Sequence, residues 1–204
     1  MKIFIKALFI MAIIGWHSSI QAQISVGGRL GANIAKVDGD GMDTNAKFGL
    51  DIAVVADIPV TDAVSVQPEL HFLQKGYKLD IGAGDDPTRA LNYIELPVLA
   101  KYNFGDAESV SGFVLVGPSI GFGIGYKTKF GDEEETGSFS DANLNTVDFS
   151  ANIGGGVNIP ISSGTVVIDV RYLLGFANIF DGEADAKNRG INFGVGYVTP
   201  IGGE

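Results

Sequence analysis

The chain has 204 residues, of which 46% are hydrophobic and 19% are charged, and it contains no cysteine. This length suggests a single domain, and the lack of cysteine excludes disulfide scaffolds, thiolate zinc sites and cysteine nucleophiles. The net charge of −10 argues against nucleic acid as a partner.

The N-terminal segment is typical of a secretory signal peptide. Lys2 and Lys6 give it a positive start, and an apolar run follows as far as Trp16. Because this run is shorter than the roughly 20 residues of a membrane-spanning helix, we interpret it as a cleaved signal rather than an anchor. We expect cleavage after Ala22, which divides the chain into a signal peptide at 1–22 and one further domain at 23–204.

The rest of the chain alternates apolar and polar residues with the period of two that indicates β-strands. Eight such runs lie at 24–34, 48–58, 64–72, 93–102, 114–126, 147–159, 166–176 and 191–197. Short connections at 59–62, 105–111 and 160–164 alternate with longer polar ones at 36–46, 80–90, 129–145 and 181–190. This pattern is typical of outer-membrane barrels. We predict an all-β fold, an eight-stranded antiparallel up-and-down transmembrane β-barrel with short periplasmic turns and long extracellular loops.

The apolar faces of the runs favour a membrane barrel over a soluble ligand-binding barrel, which also has eight strands and is secreted. These faces are nearly free of charge along all eight runs. Aromatic residues also gather near the strand ends, as in the interfacial girdles of membrane barrels. Those near the long loops are Phe72, Tyr77, Phe122, Tyr126 and Phe176, and those near the short turns are Tyr102, Phe104 and Tyr197. The soluble barrel remains an alternative.

The opposite faces of the runs combine small residues with charges of both signs, as a narrow lumen requires. Their charged or titratable members are Arg29, Asp51, Glu69, His71, Glu95, Lys101, Asp148, Asp169 and Arg171. Because an unpaired charge in such a space costs several kcal/mol, we interpret these residues as a lumen charge network of salt bridges. The alternative is a narrow channel for ions or small solutes.

A segment of the fourth run resembles a known family. Tyr93 to Tyr102 reads Tyr-Ile-Glu-Leu-Pro-Val-Leu-Ala-Lys-Tyr, and Gln67-Pro68-Glu69-Leu70 precedes it. The pattern is similar to that of the outer-membrane β-barrel family that includes PorT-like proteins, with eight-stranded barrels of the OmpX and OmpA type. The resemblance extends over essentially the whole chain after residue 22. It implies a barrel in the outer membrane of a Gram-negative bacterium and little about its activity. The roles that we consider are adhesion, envelope stability, or assistance to a secretion or motility machine, the last by similarity to the PorT-like proteins.

The function predicted from these features is non-enzymatic, structural or interactive, without cofactor or bound metal, in a monomer. The barrel itself predicts outer-membrane lipid as the main partner. The long loops are rich in acidic residues, which predicts divalent cations or a basic protein as further partners there. Asp38 to Asp43 loosely resembles a calcium loop but lacks its terminal glutamate. A lipid-modifying enzyme centred on His71 is a weaker alternative, because Leu73 stands where a partner serine would be needed.

Overall fold

The structure, a computed structural model, describes residues 23–39, 44–79, 86–182 and 185–201. The predicted signal peptide at 1–22 lies outside these residues, as does most of the calcium-like segment that begins at Asp38. Within the described ranges, no helix has the length and apolar character needed to cross a membrane.

The described residues form ten strands and one short 3-10 helix. Eight strands are long and correspond to the eight predicted runs: β1 (Ile24–Gly39), β3 (Lys47–Pro59), β4 (Val64–Leu79), β5 (Thr88–Phe104), β6 (Ser111–Phe130), β8 (Val147–Ile161), β9 (Gly164–Asn178) and β10 (Ala186–Ile201). Two short strands, β2 (Thr44–Asn45) and β7 (Glu133–Gly137), extend the wall beside β4 and β6. The 3-10 helix, Phe139–Ala142, follows β7.

The long strands close into a barrel in which each pairs antiparallel with its neighbour in the chain. The last strand, β10, returns to pair with β1 over their whole length. Closure gives every long strand two partners, which lipid requires because it cannot hydrogen-bond a free sheet edge. The predicted eight-stranded up-and-down barrel is confirmed.

The two faces of the wall are oriented as a membrane barrel requires. Leu30, Phe48 and Val54 point outward and are 60%, 76% and 62% exposed. Arg29 and Asp51, each next to an outward residue, are 4% and 1% exposed. The apolar face is therefore the outer one, whereas a soluble ligand barrel would carry it inside.

Two aromatic residues that we predicted for the girdle near the long loops lie inside the barrel instead. Tyr77 and Tyr126 are 3% and 6% exposed. For Tyr126 the cause is a bulge in β6, where Gly123 and Gly125 pair with successive residues of β5 and Ile124 is extra. A bulge shifts the alternation by one residue, so side chains beyond it change face. Tyr126 therefore points inward although it follows the outward Ile124 by two positions.

Candidate functional site

Six side chains inside the barrel form a closed circuit of ion pairs. The circuit runs through Arg29, Asp51, His71, Glu69, Arg171 and Asp169 and returns to Arg29. We call these six residues the ion-pair ring. They come from β1, β3, β4 and β9, so the ring joins strands on different sides of the lumen.

The contacts within the ring are short, and each arginine contacts two carboxylates. Arg171 donates through Nη1 to Glu69 Oε2 at 2.6 Å and through Nε to Asp169 Oδ1 at 2.8 Å. Arg29 donates through Nη2 to Asp169 Oδ1 at 2.7 Å and also binds Asp51. Each arginine therefore bridges two carboxylates, the planar fork geometry that makes such pairs strong.

Glycine residues on the inner face leave room for the long side chains of the ion-pair ring. Gly194 in β10 lies against the Arg29 guanidinium, and a Cβ at this position would collide with it. The strand period of two places Gly194 on the inner face beside Asn192, whose Oδ1 accepts a hydrogen bond from Arg29 at 2.7 Å. The inner glycines thus leave room for long side chains from other strands.

His71 closes the ring between two carboxylates. Its Nδ1 lies 2.6 Å from Asp51 Oδ1 and its Nε2 lies 2.6 Å from Glu69 Oε2. A ring nitrogen that faces a carboxylate at this distance donates a proton. With both nitrogens donating, His71 is an imidazolium, and the ring alternates three cations with three carboxylates.

A second cluster, at Lys75, lies farther along β4 toward the long connections. Lys75 Nζ lies 2.6 Å from Glu95 Oε2 and 3.0 Å from Asp148 Oδ2. Ser119 Oγ donates to Glu95 at 2.7 Å, and Asn188 Nδ2 donates to Asp148 at 2.9 Å. Sequence reasoning missed Lys75, although its distance of four positions from His71 places it on the same face of a strand.

The nine residues of the predicted lumen network are thus all inside the barrel, but in three separate groups. Six form the ring, Glu95 and Asp148 share Lys75, and Lys101 pairs with Asp57 at 2.7 Å near the short turns. Lys101 Nζ also lies 4.7 Å from the centre of the Phe113 ring, a cation–π contact. Asp57 and Lys75 were not among the nine.

The long-connection end of the lumen is filled by apolar side chains, which we call the apolar cap. Its buried members are Val37, Tyr77, Leu91, Tyr93, Tyr126, Phe139, Leu144, Ile179 and Ala186. The Phe139 ring packs edge-on against the Tyr93 ring at 5.2 Å between centres. Gly123 makes this possible, because a Cβ there would collide with Phe139.

The connection at 129–145, which we predicted to be a long polar loop, is therefore only partly exposed to solvent. Phe139 and Leu144 are 3% and 5% exposed, because burying their apolar surface is favourable. Asp141 orders the turn that carries Phe139: its Oδ2 accepts from Ser138 Oγ at 2.7 Å and from Ser138 N at 2.9 Å. These hydrogen bonds hold the pKa of Asp141 below its usual value.

Two small voids adjoin the ion-pair ring. One, of about 20 Å³, lies toward the short turns beside Arg29 and Asp57, and the other, of about 10 Å³, lies beside His71 and Glu95. A cavity needs about 10–15 Å³ to hold one water molecule, so each void has room for about one. Among the described residues, no group of three or more histidine and carboxylate side chains could hold a metal ion.

Comparison with known proteins identifies the class. The family model described as outer membrane protein beta-barrel domain matches residues 20–181. The chain belongs to this family of outer-membrane barrels. A comparison with curated proteins found no match.

Several solved structures are similar to this chain. Neisserial surface protein A is 13% identical, with 88% of this chain and 98% of that chain covered and a TM-score of 0.52. Ail, the attachment invasion locus protein of Yersinia pestis, is 16% identical, with coverages of 87% and 99% and a TM-score of 0.48. The outer membrane enzyme PagL is 12% identical, with coverages of 85% and 99% and a TM-score of 0.47. At such identities the likeness to Neisserial surface protein A shows the fold alone.

Proposed function

We propose that this protein is a non-enzymatic outer-membrane barrel with a sealed lumen, whose role at the cell envelope is structural or interactive. The observation that carries the proposal is the ion-pair ring, in which every charged side chain holds two partners of opposite sign. Such a ring ties the strands together across the lumen and occupies the space that a pore would need.

The ion-pair ring is one of several barriers that a solute would meet along the axis of the barrel. A solute moving from the short turns would meet the ring first, then the Lys75 cluster and finally the apolar cap. To pass, it would have to separate buried ion pairs, and each unpaired charge left behind costs several kcal/mol. The voids beside the ring, about 20 and 10 Å³, are too small to relieve that cost by hydration. These features support a structural network over the alternative of a narrow channel.

His71 gives no support to the alternative of a lipid-modifying enzyme. Both of its ring nitrogens face carboxylates, so neither is free to accept a proton. The residue is 5% exposed, inside the barrel rather than on the lipid-facing wall. Among the described residues, no hydroxyl group hydrogen-bonds to its ring.

With a sealed lumen, the function belongs to the outer surfaces. We propose that the signal peptide at 1–22 is removed, that both termini of the barrel domain at 23–204 are periplasmic, and that the long connections are extracellular. There β7 presents the exposed Glu133, Glu134 and Glu135 above the membrane. This surface suits a basic protein partner or divalent cations, in adhesion, in envelope stability, or in assisting a secretion or motility machine.

Recordings in planar lipid bilayers test the sealed lumen. The wild-type protein, with its barrel verified by a gel shift on boiling, should insert without discrete conductance steps. A variant that combines Phe139→Ala with Arg171→Ala, Glu69→Ala, Lys75→Ala and Glu95→Ala weakens the cap, the ring and the Lys75 cluster without changing the net charge, and it should conduct. Lys187→Met, outside the lumen, is the matched control and should remain silent. Wild-type steps whose ion selectivity changes in Asp57→Asn would contradict the proposal and favour the channel.

A further inference from the structure

The short-turn end of the barrel contains a cavity of about 600 Å³, which we call the vestibule. Its wall combines apolar side chains with uncharged side chains that carry hydroxyl or amide groups. Thr61 and Tyr102 are among the polar ones, together with six that come from six different strands: Ser25, Ser65, Asn103, Ser111, Asn158 and Thr165. Small-ligand sites usually have volumes of about 300–1,000 Å³ and mainly apolar walls. The vestibule has the volume of such a site but a larger share of polar groups in its wall, so a polar ligand would match it.

Two of these groups lack the hydrogen bonds that they need. Ser65 is 2% exposed, and its Oγ has no partner within the described part of the chain. Asn158 donates from Nδ2 to Asn103 Oδ1 at 3.1 Å, but its own Oδ1 is unpartnered there. A buried polar group without a partner is unfavourable. A ligand that accepts from one and donates to the other would satisfy both.

Two of the three charged side chains in the vestibule wall neutralise each other. Lys101 and Asp57, which lie in its wall, are paired at 2.7 Å. Asp62 in the turn is the other charged side chain of the lining, and it is exposed to solvent. Among the described residues, the wall thus offers no free cation to an anionic ligand, while each hydroxyl both donates and accepts hydrogen bonds.

We propose that the vestibule binds a neutral saccharide. Sugars carry dense hydroxyl groups that can each donate and accept, and an N-acetyl group adds an amide that complements Asn103 and Asn158. In the orientation proposed above, the vestibule opens to the periplasm. The site is independent of the sealed lumen, because it lies on the short-turn side of the ion-pair ring.

The test is titration of the full-chain protein, purified in a detergent without a sugar headgroup, with N,N′-diacetylchitobiose. Calorimetry and ligand-observed NMR should detect saturable binding. Ser65→Ala and Asn158→Leu should each weaken it by up to about tenfold, the effect of one neutral hydrogen bond. Ser25→Trp should abolish it by filling the mouth. Ser140→Ala is the matched control, because Ser140 is exposed at the opposite end of the barrel, and it should bind as the wild type does.

Two results would overturn the proposal. One is the absence of saturable binding to the wild type in the millimolar range, which would leave water as the occupant of the vestibule. The other is binding that survives both Ser65→Ala and Ser25→Trp, which would place the sugar elsewhere. A gel shift on boiling verifies that each variant is folded. If Asn158→Leu fails this check, the Ser65 and Ser25 variants still decide the question.

Discussion

Replacing Arg171 with methionine should be among the most damaging single changes to this barrel. The substitution removes the contacts at 2.6 and 3.1 Å to Glu69 and at 2.8 Å to Asp169. Glu69 then keeps His71, and Asp169 keeps Arg29, but three ring carboxylates are left with two cations. Removing one partner of a buried pair costs about 3–5 kcal/mol. Because each carboxylate retains another cation, we expect a loss of about 3 kcal/mol in the free energy of unfolding.

The assay is urea unfolding in lipid vesicles, followed by the gel mobility of unboiled samples and by circular dichroism. Lys187→Met is the matched control, because the side chains of Lys187 and its partner Asp185 are 31% and 55% exposed, and it should cost less than about 1 kcal/mol. The double variant Arg171→Met with Glu69→Gln removes one charge of each sign and should recover most of the loss. The reasoning is refuted if Arg171→Met is no less stable than Lys187→Met, or if the double variant is less stable than the single one.

Three further predictions concern the apolar cap and the N-terminus. Phe139→Ala should open the cap locally at a cost of about 3 kcal/mol, seen as faster hydrogen exchange at 138–145; unchanged exchange would show that Phe139 does not hold it. Asp141→Asn should also loosen this turn at pH 7, where the carboxylate is ionised and its bonds from Ser138 are fully formed. Because the pKa of Asp141 is lowered, the stabilisation should persist at neutral pH and disappear as the pH falls through that lowered pKa; an effect of equal size in strong acid would contradict this. Mass spectrometry of the protein from outer membranes should find Gln23 as the first residue, and an intact Ala22 would disprove the predicted cleavage.

The barrel was predictable because its physics is local and repeated. Each strand must alternate lipid-facing and lumen-facing residues. The alternation in a run such as 48–58 therefore predicts both that it is a strand and which of its residues face the lumen. The same alternation assigns Arg29, Asp51 and Asp169 to the inner face from their sequence positions alone. It fails where the backbone departs from regular pairing, as it does for Tyr126 beyond the bulge at Ile124.

The grouping of the lumen charges was not predictable from alternation. Which inner residues meet across a lumen depends on the stagger of the whole closed sheet, which no single strand encodes. Arg171 meets Glu69 although 102 positions separate them. The apolar cap was not predictable for another reason. Phe139 and Leu144 lie among acidic residues in the sequence, and they are buried because they pack against residues at the long-connection end of the barrel.

The central claim is a closed, detergent-resistant membrane barrel whose charged face lies inside. The most direct measurement is gel electrophoresis of the detergent-extracted membrane fraction, with and without boiling. The account predicts that the protein is found in this fraction and that the unboiled band migrates differently from the boiled one. Protein that is soluble without detergent and shows no shift on boiling would contradict it, and the inner and outer faces would then have to be exchanged.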